Sequence, residues 1–284
     1  MSIESFHSKI FLDSGDPDET RKAIGHLGFL DGQTTNPSLI TRNPDAAQKV
    51  ARGEKFTQKE LLDLYKEIVQ EISGLIPRGS VSIEVYADKN VTTEEMLEQG
   101  REMFLWIPNA HIKYPTTAEG LKAAQQSIAE GMRVNMTLVF SQQQAAAVYA
   151  ATKGAAKGNV FVSPFIGRVD DAGENGMQLL ENIVRMYKQG DGHVEVLAAS
   201  LRNQNHLLGA IQAHADIITS PWEVLKEWDS QDPNDTFAYE TGNFKTIPYQ
   251  EMNLEQEWSA FDIFHDLTDK GIGRFADDWN KLLK

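Results

Sequence analysis

Short β-branched or apolar runs alternate along this chain with longer stretches of helical periodicity. The runs predict strands at 9–13, 32–35, 81–86, 111–114, 133–139, 159–163, 194–199 and 216–219. Helical spacing predicts helices at 17–27, 93–104, 117–130, 141–153, 176–189, 203–214 and 221–228, with a longer helical region at 37–73. The two patterns are separable because a strand repeats every second residue and a helix every 3.6. Eight alternating βα units favour an α/β fold of one kind, a single parallel (β/α)8 TIM-type barrel, over an open doubly wound sheet. No Gly-x-Gly-x-x-Gly follows any of these strands, which weakens the doubly wound alternative.

Alternation within the strands assigns their faces. Val81, Ile83 and Val85 share one parity, Ser82, Glu84 and Tyr86 the other. Ile112 and Tyr114 oppose His111 and Lys113, and Val134, Met136 and Leu138 oppose Asn135 and Thr137. Uniformly apolar faces belong against a ring of helices. The other parity, with Asp13, Glu84, Lys113, Asn135, Thr137 and Ser163, is expected to line the barrel. These groups lie toward the carboxyl ends of their strands, where barrel active sites are built.

The pattern changes after about residue 230. Residues 231–236 (QDPNDT) read as a turn-rich linker, and Ile272, Phe275, Trp279 and Leu282 form a stripe at helical spacing. The expected organisation is a catalytic barrel over 1–230 and a C-terminal extension over 231–284. Its terminal amphipathic helix would dock on the barrel or on a neighbouring subunit, which leaves a homo-oligomer open.

Composition narrows the function. Forty-one acidic against 27 basic residues give a net charge of −14, which argues against a general nucleic-acid or acidic-membrane binder. A few local arginines can still hold a small anion. With no cysteine, disulfides, thiolate metal sites and cysteine nucleophiles are excluded. The seven histidines show no tight ligand spacing, so neither metal nor cofactor is expected. The N-terminal MSIESFHSKIF has no basic region followed by an apolar run, and a cytoplasmic protein is the expectation.

Lys113 carries the chemistry. A lysine in a buried strand is costly unless its charge is paired or its pKa lowered, and that same environment makes an ε-amine nucleophilic toward a carbonyl. The plainer reading is an ion pair within a barrel layer. Asp13 and Glu84, from other strands, could handle the protons of carbinolamine chemistry. Arg202, with Ser200 beside it, follows the seventh strand, in the loops where such barrels bind phosphate. Arg168 could serve the same anion or hold a scaffold carboxylate.

At these residues the chain resembles the transaldolase family, through FLDSGD, DGQTTNPSLI, SIEVYA, IKYPTTAEGL, VNMTLVFSQQQA, VSPFIGRVDD and AASLRN across most of 9–228. The resemblance implies that Lys113 forms a Schiff base, that Asp13 acts as acid and base in carbon–carbon cleavage, and that Glu84 and Thr137 position a catalytic water. Asn36 and Asn135 would bind the hydroxyls of the transferred unit. Ser163, Arg168, Ser200 and Arg202 match the polar and phosphate-binding positions. The implied reaction moves a dihydroxyacetone unit between sugar phosphates in the non-oxidative pentose phosphate pathway. Related fructose 6-phosphate aldolases carry a tyrosine where Phe165 stands and a glutamine where Glu84 stands. A non-catalytic sugar-phosphate-binding barrel would have no need of Lys113, Asp13 and Glu84 together. Tyr114 departs from the family pattern, where small aliphatics follow the lysine.

Overall fold

A computed structural model describes residues 7–228 and 242–284. The predicted linker at 231–236 lies outside the described residues. The strands are β1 (Lys9–Asp13), β2 (Gly32–Thr34), β3 (Ser80–Glu84), β4 (Ala110–Pro115), β5 (Val134–Val139), β6 (Val160–Pro164), β7 (Val194–Ala198) and β8 (Ile217–Ser220). Each pairs in parallel with the next, and β8 returns to β1 to close the barrel. The fold is therefore the (β/α)8 barrel that the alternation predicts.

The helices after β1 and β2 are α1 (Pro17–Leu27), α2 (Pro37–Ile40), α3 (Pro44–Ala51) and α4 (Gln58–Leu75). Then come α5 (Thr93–Phe104), α6 (Ala118–Ala129), α7 (Gln142–Ala151), α8 (Ile166–Asp171) and α9 (Gly176–Tyr187). The last three are α10 (Gln204–Gln212), α11 (Trp222–Trp228) and α12 (Asp266–Asn280).

Two helical readings change. The region 37–73 is three helices, because start signals interrupt it: Asn43 caps α3, and Thr57 with Glu60 forms a capping box on α4. Helix α8 was not predicted. Six residues are too few to show a helical period, and no side chain caps its start.

Strand faces follow the parity. Ile83, Ile112, Tyr114, Val134 and Met136 are fully buried in the hydrophobic core that the helix ring completes. The Tyr114 hydroxyl reaches Ser127 of α6 at 3.0 Å. It fits because position 100 of α5 is glycine: a Cβ there would lie 1.9 Å from that oxygen. The family departure at Tyr114 thus falls on the helix side. Tyr86 corrects the reading at the other parity. Strand β3 ends at Glu84, and the Tyr86 hydroxyl instead accepts a hydrogen bond from Asn280 of α12 at 3.1 Å.

Helix α12 buries the predicted stripe of Ile272, Phe275 and Trp279, with Leu282 just beyond it. Burying each such side chain contributes about 2 kcal/mol, enough to hold the helix on the barrel. It docks where β5 is irregular: the register shifts between Met136 and Val139, and Leu138 takes a left-handed φ of 60°. There the Thr268 hydroxyl donates to the Leu138 carbonyl at 3.0 Å. Among the described residues, no helix is long and apolar enough to cross a membrane.

Candidate active site

Lys113, on the interior face of β4, pairs in register with Glu84 of β3 and Asn135 of β5. Its Nζ lies 2.8 Å from Glu84 Oε2 and donates to the Thr35 carbonyl at 3.1 Å. Both side chains of the pair are about 5% exposed or less. Tyr65 of α4 supports this layer from behind. Its hydroxyl accepts the Glu84 backbone N–H at 2.9 Å and meets the Thr35 hydroxyl at 2.6 Å.

Asp13 ends β1, and its Oδ1 accepts from the Thr34 hydroxyl at 2.7 Å, which in turn meets Thr219 at 2.6 Å. Desolvation pushes the Asp13 and Glu84 carboxyls above the usual carboxylate range, against the opposing pull of the Lys113 charge. The Lys113 charge favours the ionised form of both carboxyls.

A cavity of about 230 Å³ opens above them at the carboxyl ends of the strands. Asp13, Asn36, Lys113, Thr137 and Ser163 line it from β1, the loop after β2, β4, β5 and β6. Phe165 and Arg168 line it from the start of α8, after β6, and Ser200 and Arg202 from the loop that follows β7. Two expected residues sit outside the wall. Glu84 lies behind Lys113. Asn135 lies one layer down, where it accepts from the Ser163 hydroxyl at 2.7 Å and donates to Ser82 at 3.0 Å. Thr137 Oγ1 is buried, and no described residue hydrogen-bonds to it. Asn36 uses its side-chain oxygen to cap α2, accepting the Leu39 N–H at 2.9 Å.

The arginines are held differently. Arg168 stacks between Phe165 and Phe275 of α12, about 5 Å from each ring centroid. No described carboxylate forms a salt bridge with it. Burial, together with like charge from Arg274 and Arg202, pushes its guanidinium down to about 10. Among the described residues, the alternative of a scaffold carboxylate finds no partner for it. Arg202 pairs with Asp171 at 3.0 Å on a more exposed flank.

Ser200 takes a left-handed φ of 62°, a conformation costly for a non-glycine residue. That turn carries the chain from β7 past α8. The approach is so close that a Cβ at Gly167 would lie 2.3 Å from the Ser200 carbonyl oxygen.

Several wall residues were not anticipated. Thr34 and Thr219 are on interior-facing positions of their strands, so parity could have found them. Arg42, Arg274 and Phe275 also line the cavity. They come from α2's flank and from α12, and no strand pattern places them there.

The barrel gathers these residues at its carboxyl-terminal mouth, the place where (β/α)8 enzymes build their active sites. The chain belongs to the transaldolase/fructose-6-phosphate aldolase family, whose model matches residues 10–284. A protein of Dehalococcoides mccartyi named probable transaldolase is 37% identical over 97% of this chain and 100% of its own. One of the same name from Herpetosiphon aurantiacus is 35% identical over 96% of each. Another, from Prosthecochloris aestuarii, is 41% identical over 77% of this chain and 89% of its own. Among solved structures, a putative dehydratase from Mesorhizobium loti overlaps 75% of this chain and 55% of its own. Its TM-score is 0.48 at 13% identity, a likeness that carries no functional argument.

Proposed function

We propose that this protein is a transaldolase that transfers a dihydroxyacetone unit from a ketose phosphate to an aldose phosphate through a Schiff base on Lys113. The observation that carries the reading is the buried Lys113–Glu84 pair, 2.8 Å apart, beside a cavity whose wall also holds Asp13, Arg168 and Arg202. A barrel that only bound sugar phosphate would need the arginines and gain nothing from the buried amine. Donors would be sedoheptulose 7-phosphate or fructose 6-phosphate, which places the reaction in the non-oxidative pentose phosphate pathway, in the cytoplasm.

Lys113, as the free amine, attacks the ketose carbonyl carbon, and the carbinolamine loses water to give an iminium. Glu84 and Thr137 hold the water that accompanies this proton traffic, a role that suits the hydroxyl of Thr137. Asp13 then takes the proton from the C4 hydroxyl. The C3–C4 bond breaks, its electron pair enters the iminium to form an enamine, and the aldose phosphate leaves. An acceptor aldehyde is attacked by the enamine carbon, and Asp13 returns its proton to the new hydroxyl. Water finally hydrolyses the iminium and frees the amine. The NH2 of Asn36 and the Ser163 hydroxyl, the latter oriented by Asn135, hold the hydroxyls of the unit. Arg168, Arg202 and Ser200 hold the phosphate.

The experiment is a pair of assays with fructose 6-phosphate, one with erythrose 4-phosphate as acceptor and one without any acceptor. Transfer should exceed release of free dihydroxyacetone by a wide margin. Release as fast as transfer makes the protein a fructose 6-phosphate aldolase instead.

A further inference from the structure

Both phosphate-holding arginines, under the reading above, are tied together by a buried pair that does not itself line the cavity. Arg168 stands on α8, and two residues along the same helix is Asp170, whose side chain is 8% exposed. Its Oδ1 accepts the Gly176 N–H at 2.8 Å, and its Oδ2 accepts from His206 Nε2 at 2.8 Å. His206 is in the first turn of α10 and equally buried, at 6%. Its other ring nitrogen, Nδ1, accepts the backbone N–H of Arg202 at 3.1 Å. These two contacts fix the ring as the Nε2–H tautomer, donor to a carboxylate on one side and acceptor from the backbone on the other. A covalently continuous path thus runs from Arg168 to Asp170, and hydrogen bonds continue it through His206 to Arg202.

The loop needs such a tie. Arg202 follows Ser200, whose left-handed turn is strained, and its guanidinium is 46% exposed beside Asp171. Other links between α8 and this loop are the Ile166 N–H donated to the Ala199 carbonyl at 3.0 Å, the Gly167 N–H donated to the Ser200 carbonyl at 3.1 Å, and the Arg202–Asp171 side-chain pair at 3.0 Å. The two backbone bonds stop at Ser200, and the Asp171 pair holds only the half-exposed end of the side chain, so it is His206 that fixes the Arg202 backbone.

We propose that Asp170 and His206 are positioning residues that fix the spacing of the Arg168 and Arg202 guanidiniums. They thereby set affinity for the phosphate end of the substrate. The proposal rests on the reading of these arginines as the phosphate site. It says that anion affinity depends on two residues that never touch the anion.

The test is calorimetric titration of the folded full-length protein with inorganic phosphate, alongside KM and kcat for fructose 6-phosphate. His206→Leu breaks both links, and loss of roughly one hydrogen bond's worth of order should weaken phosphate about tenfold. His206→Asn keeps an acceptor for the Arg202 N–H and should recover much of this, at about threefold weakening, and Asp170→Asn should match it. KM should follow the same order while kcat stays within about twofold, because Lys113 and Asp13 are untouched. Should His206→Leu fail to fold, the two asparagine variants decide alone. Unchanged phosphate affinity in the folded variants, or a fall in kcat at constant KM, overturns the proposal. Arg202→Ala is run in parallel. If that variant binds phosphate as the unaltered protein does, the phosphate site itself is misassigned, and the positioning role falls with it.

Discussion

Two lysines face the interior of this barrel, and they live under different rules. Lys9 enters at the amino-terminal end of β1, where its amine lies 3.0 Å from each oxygen of Glu195. Its side chain is 46% exposed, so water shares the load. Above it His111 stacks on Phe161 at 4.0 Å, with both ring nitrogens bonded, to Ser80 and to the Gly158 carbonyl. Burial pushes this histidine down to about 3, so it stays neutral. In this lower layer the Lys9 charge has its carboxylate and the His111 ring has both nitrogens bonded. Lys113 sits higher, 5% exposed, with one carboxylate in contact and another nearby. Desolvation works against the charge of both carboxylates, and the Thr137 hydroxyl beside them lacks a protein partner among the described residues. The lesson is that a buried lysine means little by itself. What separates structural from chemical use is whether its surroundings are satisfied without a substrate.

The largest effect should come from exchanging the two lysines' fates. Lys113→Met should lower transfer activity at least about a thousandfold, since no other group can carry the covalent unit. Lys9→Met should leave it within about twofold. Steady-state assays on both variants check this, and comparable losses would erase the distinction between the two layers.

Next in size is the anion end. Arg168→Ala or Arg202→Ala should raise KM for phosphorylated sugars about ten- to hundredfold, the worth of a charge-assisted hydrogen bond. Non-phosphorylated analogues should be largely spared. Equal losses on both substrate types would mean that the arginine supports the fold or the chemistry.

A third prediction concerns protons. Lys113 lowers the carboxyl groups of Asp13 and Glu84 against desolvation, so Lys113→Met should raise both further. A folded pKa above the unfolded one means that the folded state binds more protons within that window. Stability should therefore fall as pH rises from the ordinary carboxylate range, about 4, toward the raised values. Thermal unfolding of the variant should show a steeper loss between acid and neutral pH than the unaltered protein shows. Parallel curves would mean that the three groups are not coupled.

The Lys9 layer supplies the smallest effect. Lys9→Met leaves Glu195 without its partner, and with water screening this should cost about 1 kcal/mol in a denaturant titration. A loss as large as that of a dry buried pair would show that Lys9 is less solvated than its exposure implies.

What the sequence disclosed, and what it hid, follows from the same physics. Parity along β3, β4 and β5 pointed Glu84, Lys113 and Thr137 inward because alternation holds over short regular runs, and the left-handed residue of β5, Leu138, comes only after Thr137. Arg202 was legible from its place after β7. Asn135 is on the face that alternation assigns it but outside the cavity lining, since alternation gives the direction of a side chain and not whether it reaches the cavity. Thr34 and Thr219 were passed over because threonine in a strand is ordinary. Phe275 and Arg274 were read as part of an amphipathic stripe or not at all. Nothing in a helix's own period says that it lies over the mouth of a barrel whose strands ended some fifty residues earlier, at Ser220. His206 is one of seven histidines without ligand spacing, and nothing in the sequence around it marks it as a tie between loops. Its partner Asp170 sits in α8, too short a helix to be seen.

The central claim is that Lys113, and no other lysine, holds the transferred unit. Reduction with borohydride in the presence of fructose 6-phosphate, followed by proteolysis and mass mapping, tests it directly. The account predicts a stable dihydroxyacetone-derived adduct on the peptide containing Lys113, absent from Lys113→Met. An adduct on another lysine, such as Lys89 beyond β3, or no adduct in an active preparation, would contradict it.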